Sequence, residues 1–192
     1  GDNISYCYIG SLSYCFIINS EKKLMIIGSI CENKATEKRI SVTPDNVKKF
    51  ISNGFKVYLE KNYGNHLDID DEKFSENGAK FYDKDEIIKN SDILLQLNLP
   101  NEKDLKNLSP NKNLIGVFDP TKNKDQISKL SENNINVFSL ELLPRITRAQ
   151  SMDILSSQAN LAGYKAVVDA FSFFNKAIPM MMTAAGTIPA AK

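Results

Sequence analysis

Short apolar runs alternate with amphipathic stretches along most of this chain. Residues 24–30, Leu-Met-Ile-Ile-Gly-Ser-Ile, are apolar without a helical period and predict a buried strand. Val47, Phe50 and Ile51 then make the stripe of a helix. Thr43 is placed to cap it, Pro44 suits its first position and Gly54 stops it. Residues 55–60 alternate like a strand, and 61–70 read as a loop. Asp70 caps a helix that ends at Asn77-Gly78, residues 79–82 form a short strand, and Asp83 or Asp85 opens a helix to Lys89. Residues 91–99 read as a strand ended by Pro100, followed by a short helix at 102–108. A strand at 114–118 breaks at Asp119-Pro120. A helix at 122–133, with Ile127 and Leu130 inward, leads to a last strand at 135–140.

Strands alternating with helices in this way predict an α/β fold, a mostly parallel sheet with helices on both faces. The alternation stops near residue 143. Residues 143–152 are a polar loop opened by Pro144, which turns Leu143 away from helical geometry. From Asp153 the chain becomes helical, with Ile154, Leu161, Tyr164, Val168 and Phe171 near one face. Ser151 or Asp153 is the N-cap. A loop ending at a helix N-terminus offers backbone donors and partial positive charge, which suits an anionic or polar ligand. It also suits a mere connection with a capped helix. The chain therefore divides into three. Residues 1–23 are an unassigned extension or linker whose tyrosines and isoleucines favour extended structure. Residues 24–142 are the α/β lobe, and 143–192 hold the loop, the long helix and a short tail.

Composition narrows the function classes. Of 192 residues, 42% are hydrophobic and 24% charged, as in ordinary globular proteins. A net charge of +1 gives no bulk reason to bind nucleic acid or a membrane surface. No run reaches the roughly 18 apolar residues of a membrane span. Cys7, Cys15 and Cys31 follow neither metal-ligand nor disulfide spacing, which points to free thiols in a reducing compartment. His66, the only histidine, lies in a Gly- and Asp-rich loop and reads as a surface residue, so no nucleophile–histidine pair and no metal site are expected. There is no Gly-x-Gly-x-x-Gly.

One segment carries a specific resemblance. Pro144-Arg-Ile-Thr-Arg-Ala-Gln-Ser-Met-Asp-Ile-Leu-Ser-Ser-Gln-Ala-Asn-Leu-Ala-Gly-Tyr-Lys-Ala-Val resembles, nearly letter for letter, the Arg-Gln-Asp loop of the NAD(H)-binding component of proton-translocating NAD(P) transhydrogenases. The likeness continues through Pro179-Met-Met-Met-Thr-Ala-Ala-Gly-Thr-Ile-Pro-Ala-Ala-Lys192 and, more loosely, back to Met25. Residues 31–44, with Arg39 ahead of Val42-Thr43-Pro44, look like the opening shared by that component and alanine dehydrogenase. The resemblance implies the first lobe of their common fold, ending in a long inter-lobe helix. The fingerprint lobe would follow Lys192, and the fragment alone would be inactive and bind NADH weakly.

On matching positions the resemblance implies nicotinamide-side roles for Arg145, Gln150, Asp153 and Ser156. Gln150 is the one implied in catalysis, helping to bring two dihydronicotinamide rings together. Arg148 reads as a surface arginine. The implied reaction is direct hydride transfer from NADH here to NADP⁺ on a partner domain. Proton translocation would belong to other domains. The implied setting is a homodimeric peripheral domain of a membrane enzyme, with NADP(H)-binding and membrane domains as partners, on the cytoplasmic or mitochondrial-matrix side of an inner membrane.

Two alternatives remain. One is a non-catalytic dimerisation or docking lobe, which the adaptable Met180-Met181-Met182 run would serve as well as a core role would. The other is an alanine dehydrogenase-like oxidoreductase. Arg39 matches that family's arginine, but Gln96 stands at its lysine and Asp119 at its histidine. An amide and a carboxylate cannot replace a cationic carboxylate clamp and a proton-transferring imidazole. Gln96 also departs from the transhydrogenase pattern, and Arg39 is read as structural.

Overall fold

The computed structural model describes residues 24–175 and 178–189. The expected extended structure at 1–23, Cys7, Cys15 and the final Ala190-Ala191-Lys192 lie outside the described residues. The described residues form two compact units, dividing between Met152 and Asp153, inside the segment the sequence assigns to 143–192.

The first unit is a six-stranded sheet whose strand pairs are all parallel. Its strands are β1 (Ile26–Ser29), β2 (Lys56–Glu60), β3 (Lys80–Tyr82), β4 (Ile93–Leu95), β5 (Asn113–Gly116) and β6 (Asn136–Ser139). The helices between them are α1 (Pro44–Ser52), α2 (Asp71–Glu76), α3 (Lys84–Asn90), α4 (Glu102–Lys106) and α5 (Lys124–Glu132). The order β3-β2-β1-β4-β5-β6 means the chain builds outward from β1 to one edge, then returns to β1's other side. The β1–β4 boundary is thus the switch point, where a doubly wound sheet opens a crevice beyond its carboxyl ends.

Two cores cover the two faces, as buried parallel strands require. Val47 and Phe50 of α1 and Phe74 of α2 pack with Ile27, Val57, Leu59 and Ile93. Ile87 and Ile88 of α3, Leu105 of α4 and Leu130 of α5 pack with Ile30, Leu94 and Leu114. Adjacent Ile93 and Leu94 serve opposite cores, the period-two alternation of a strand. Thr43 caps α1 through Asn46 N, with Pro44 next, as expected. Gly28 lets α3 approach β1 closely, since a Cβ there would lie 2.0 Å from Ser91 Oγ.

Two regions differ from the sequence reading. The strand expected over 91–99 is regular only over Ile93–Leu95. Beyond it, Leu97 N donates to the Glu32 side chain rather than to a neighbouring strand. The loop expected at 143–152 carries a 3₁₀ helix at Thr147–Met152, anchored by buried Ala149.

The second unit begins with α6 (Ile154–Phe173), and Asp153, not Ser151, is its N-cap. No residue of α6 is buried, and the apolar stripe of Leu161, Tyr164, Val168 and Phe171 is exposed. An antiparallel hairpin comes next, β7 (Met181–Thr183) with β8 (Gly186–Ile188). Gly186, at φ +126°, supplies the backbone its tight turn needs. Among the described residues no helix is long and apolar enough to cross a membrane.

Candidate functional site

The chain concentrates polar groups in two places. The first is the switch point, where the sequence marked Arg39 and Gln96 but not the Ser29, Tyr63 and Glu32 side chains gathered there. Ser29 ends β1, and its fully buried Oγ lies 2.7 Å from Tyr63 Oη, 2.8 Å from Ser41 Oγ and 2.8 Å from Leu95 O. Tyr63 Oη also accepts from the backbone of Ser41 and Val42, each at 3.2 Å. Burial pushes the Tyr63 phenol above its usual value, against the pull of those hydrogen bonds.

Gln96 completes the network. It is 3% exposed, and its Oε1 accepts from Ile30 N at 2.9 Å and Ser29 Oγ at 3.1 Å. Its Nε2 donates to Glu32 Oε1 at 3.2 Å. The Ile30 N–H and the Glu32 carboxylate together dictate which way the amide points. Arg39 grips Glu37 with two side-chain bonds, Nε to Oε1 at 2.8 Å and Nη2 to Oε2 at 2.7 Å. That grip holds the Glu37 carboxyl down at about 2, against a usual 4.5. The signal in the sequence was two serines and a glutamate flanking a buried strand, which is too common a pattern to single out.

At the neighbouring strand ends, Asp119 adopts φ +43°, donates its N–H to Glu141 Oε1 at 2.5 Å and pairs with Lys122 at 2.7 Å. The Lys122 ammonium lowers the Asp119 carboxyl below its usual value. His66 is half-buried, with Nε2 2.8 Å from Lys38 O, so its ring is tied to the backbone rather than at the open surface. Cys31 is free and half-buried, and burial pushes its thiol up to about 11. Among the described residues no three His, Cys, Asp or Glu side chains converge as a metal site.

The second is a stretch of sequence: the four residues expected to act follow one another along the chain but fall on either side of the division between the two units. Arg145 and Gln150 lie in the first unit, before and within the 3₁₀ helix, and both are exposed. Among the described residues neither side chain has a hydrogen bond or ion pair. Arg148 is exposed as well. Asp153 and Ser156 open the second unit and are brought together. Asp153 Oδ1 accepts from Leu155 N at 3.0 Å and Ser156 N at 3.1 Å, and Ser156 Oγ donates to Asp153 Oδ2 at 2.6 Å. Capping therefore spends the one hydroxyl proton of Ser156, whose oxygen can then act only as an acceptor.

Known proteins resemble these same segments. Residues 28–162 match the family model described as alanine dehydrogenase/PNT, N-terminal domain. The first part of the NAD(P) transhydrogenase subunit alpha of Rickettsia prowazekii is 37% identical over 173 residues, covering 88% of this chain and 45% of that protein. A solved transhydrogenase from Sinorhizobium meliloti superposes with a TM-score of 0.78 at 40% identity, over 86% of this chain and 50% of that one. An L-alanine dehydrogenase structure, at TM-score 0.57 and 17% identity over 61% of this chain and 32% of that one, shares the fold. The chain spans between a third and a half of the length of the transhydrogenase relatives it matches. Through these matches, the chain belongs to the alanine dehydrogenase/PNT N-terminal domain family, on the side of the transhydrogenases.

Proposed function

We propose that this chain is the first lobe of the NAD(H)-binding component of a proton-translocating NAD(P) transhydrogenase, with residues 24–142 as the lobe proper and 143–192 as the nicotinamide-side loop, the inter-lobe helix and the start of the linker. The observation that carries it is the run 144–167, where the family's loop wording coincides with two exposed donors, unpartnered among the described residues, and a capped helix start. The same reading makes the chain a peripheral part of a membrane enzyme and, as its relatives' naming as subunits suggests, one of several components.

The residues present fit a nicotinamide nucleotide. Arg145 offers a planar fork of fixed donors to the nucleotide's polar groups. Gln150 offers both a donor and an acceptor near the nicotinamide ribose. Asp153 and Ser156 offer carboxylate and hydroxyl oxygens to the carboxamide amino group. The dinucleotide supplies the redox chemistry, passing a hydride to NADP⁺ held by a partner domain. The protein's share is to orient the ring and exclude water, which lowers a barrier by several kcal/mol. No nucleophile or proton-transferring side chain is required.

Oxidation of alanine is disfavoured by a specific observation. Both ends of the Gln96 amide are already engaged, and Asp119 is paired with Lys122. The exposed stripe of α6 is compatible with a dimerisation role alongside catalysis. The test is reconstitution of the whole enzyme carrying Gln150→Ala. Hydride transfer from NADH should fall by one to two orders of magnitude with NADH affinity changed far less. Wild-type turnover by that variant would overturn the reading.

A further inference from the structure

The switch point holds a second feature, separate from the loop at 143–156. Three consecutive residues after β4 aim four donors at one carboxylate. Glu32 Oε1 accepts from Leu97 N at 2.6 Å, Gln96 Nε2 at 3.2 Å and Asn98 N at 3.3 Å. Asn98 Nδ2 reaches Glu32 Oε2 at 3.4 Å. Successive backbone N–H groups that converge in this way form a concavity suited to an anion. It lies beyond the carboxyl end of β4 and beside β1, where doubly wound sheets take their ligands.

We propose that this is an anion seat that the chain fills with its own Glu32 side chain, so that the lobe is closed at its switch point to small carboxylates that would otherwise bind there. The surroundings favour an occupant that is both anionic and tethered. Arg39 acts on Glu32 from nearby, while Glu37 opposes it and itself holds Arg39. Burial raises the Glu32 carboxyl above its usual value despite the donors, so a free anion would face the same desolvation without the advantage of covalent attachment. Gln96 fits the same purpose, because its amide donates one proton to the seat and takes the Ile30 N–H with its other end. A lysine there would leave Ile30 N without that acceptor.

The test is chemical rescue in the full chain. Glu32→Ala empties the seat, whereas Glu32→Gln keeps it filled. Tm is measured as acetate replaces chloride at constant ionic strength, with the Leu97 and Asn98 amide resonances followed in parallel. The Glu32→Ala chain should melt below wild type and recover by about 4 °C or more as acetate rises, with both amides shifting. Wild type and Glu32→Gln should not respond. Equal responses from all three chains, or recovery without movement of those two amides, would overturn the proposal. Should Glu32→Ala be recovered unfolded, refolding in acetate against refolding in chloride decides the matter. Folding in acetate alone supports the seat, and equal failure in both sinks it.

Discussion

The switch point and the stretch from Arg145 to Ser156 are both polar, yet they treat their polar groups in opposite ways. At the switch point Ser29, Tyr63 and Gln96 are nearly invisible to solvent, and each is bonded to residues distant in sequence. The Arg145 and Gln150 side chains are exposed and, among the described residues, unpartnered, and the polar contacts that follow them in sequence are the short-range ones that start α6. A buried polar group left unpaired is costly, so a folding lobe completes its interior networks from its own chain. Groups that the fold leaves incomplete at the surface remain available to a ligand. The conventional ligand position of a doubly wound sheet is therefore the self-satisfied one here, and the less regular segment is the open one.

That contrast can be tested by mutation. Gln96→Ala should be the most damaging change, because it strands the Ile30 N–H and removes a donor from Glu32. A loss of about 3 kcal/mol is expected, read as a lower urea midpoint with an unchanged m-value. Arg145→Ala should do the reverse. Stability should move by less than about 0.5 kcal/mol, while hydride transfer in the reconstituted enzyme drops about tenfold or more. If Arg145→Ala instead unfolds the chain, the distinction between the two regions fails.

Asp153→Ala should cost about 1 kcal/mol of helix stability by removing the acceptor of Leu155 and Ser156 N–H, visible as faster amide exchange at those two positions. Asp153→Asn should keep most of that protection while losing the charge offered to a ligand, so it separates capping from binding. The smallest effect concerns Glu37. Its carboxyl is held near 2, below the usual 4.5, so its pairing with Arg39 stabilises the fold above the usual value and is lost as pH falls through the lowered one. Arg39 is half exposed, and solvent screens the pair. Glu37→Gln should be slightly less stable than wild type at neutral pH, with the gap closing as pH falls towards 2 in paired denaturation curves.

Much of the architecture was legible in local pattern. Thr43-Pro44 at the start of α1, the Val47/Phe50 stripe and Ile127/Leu130 of α5 depend on spacing and capping that neighbouring residues set, and the structure follows them. Where reading failed, a distant group had intervened. Past Leu95 the expected strand keeps bonding to β5 through Gln96 N and Leu97 O, but Glu32, more than sixty residues away, takes the N–H of Leu97. His66 stays partly exposed, as read, but nothing near it in sequence marks the Lys38 carbonyl that its ring meets. The β7–β8 hairpin was also unforeseen, although Ala184-Ala185-Gly186 between two short apolar runs is the kind of turn that could have marked it.

By itself, then, the sequence determined the order of strands and helices through β6, the parallel α/β class and the wording of the loop at 144–167, all of which rest on interactions between near neighbours. Only the tertiary structure decided that β1 sits beside β4, that Gln96 is buried with both ends of its amide used, and that Glu32 occupies the donors of the β4 turn. The reason is that those outcomes depend on which strands become neighbours. A hydrogen bond between residues some sixty-five positions apart leaves no local trace in the chain that makes it.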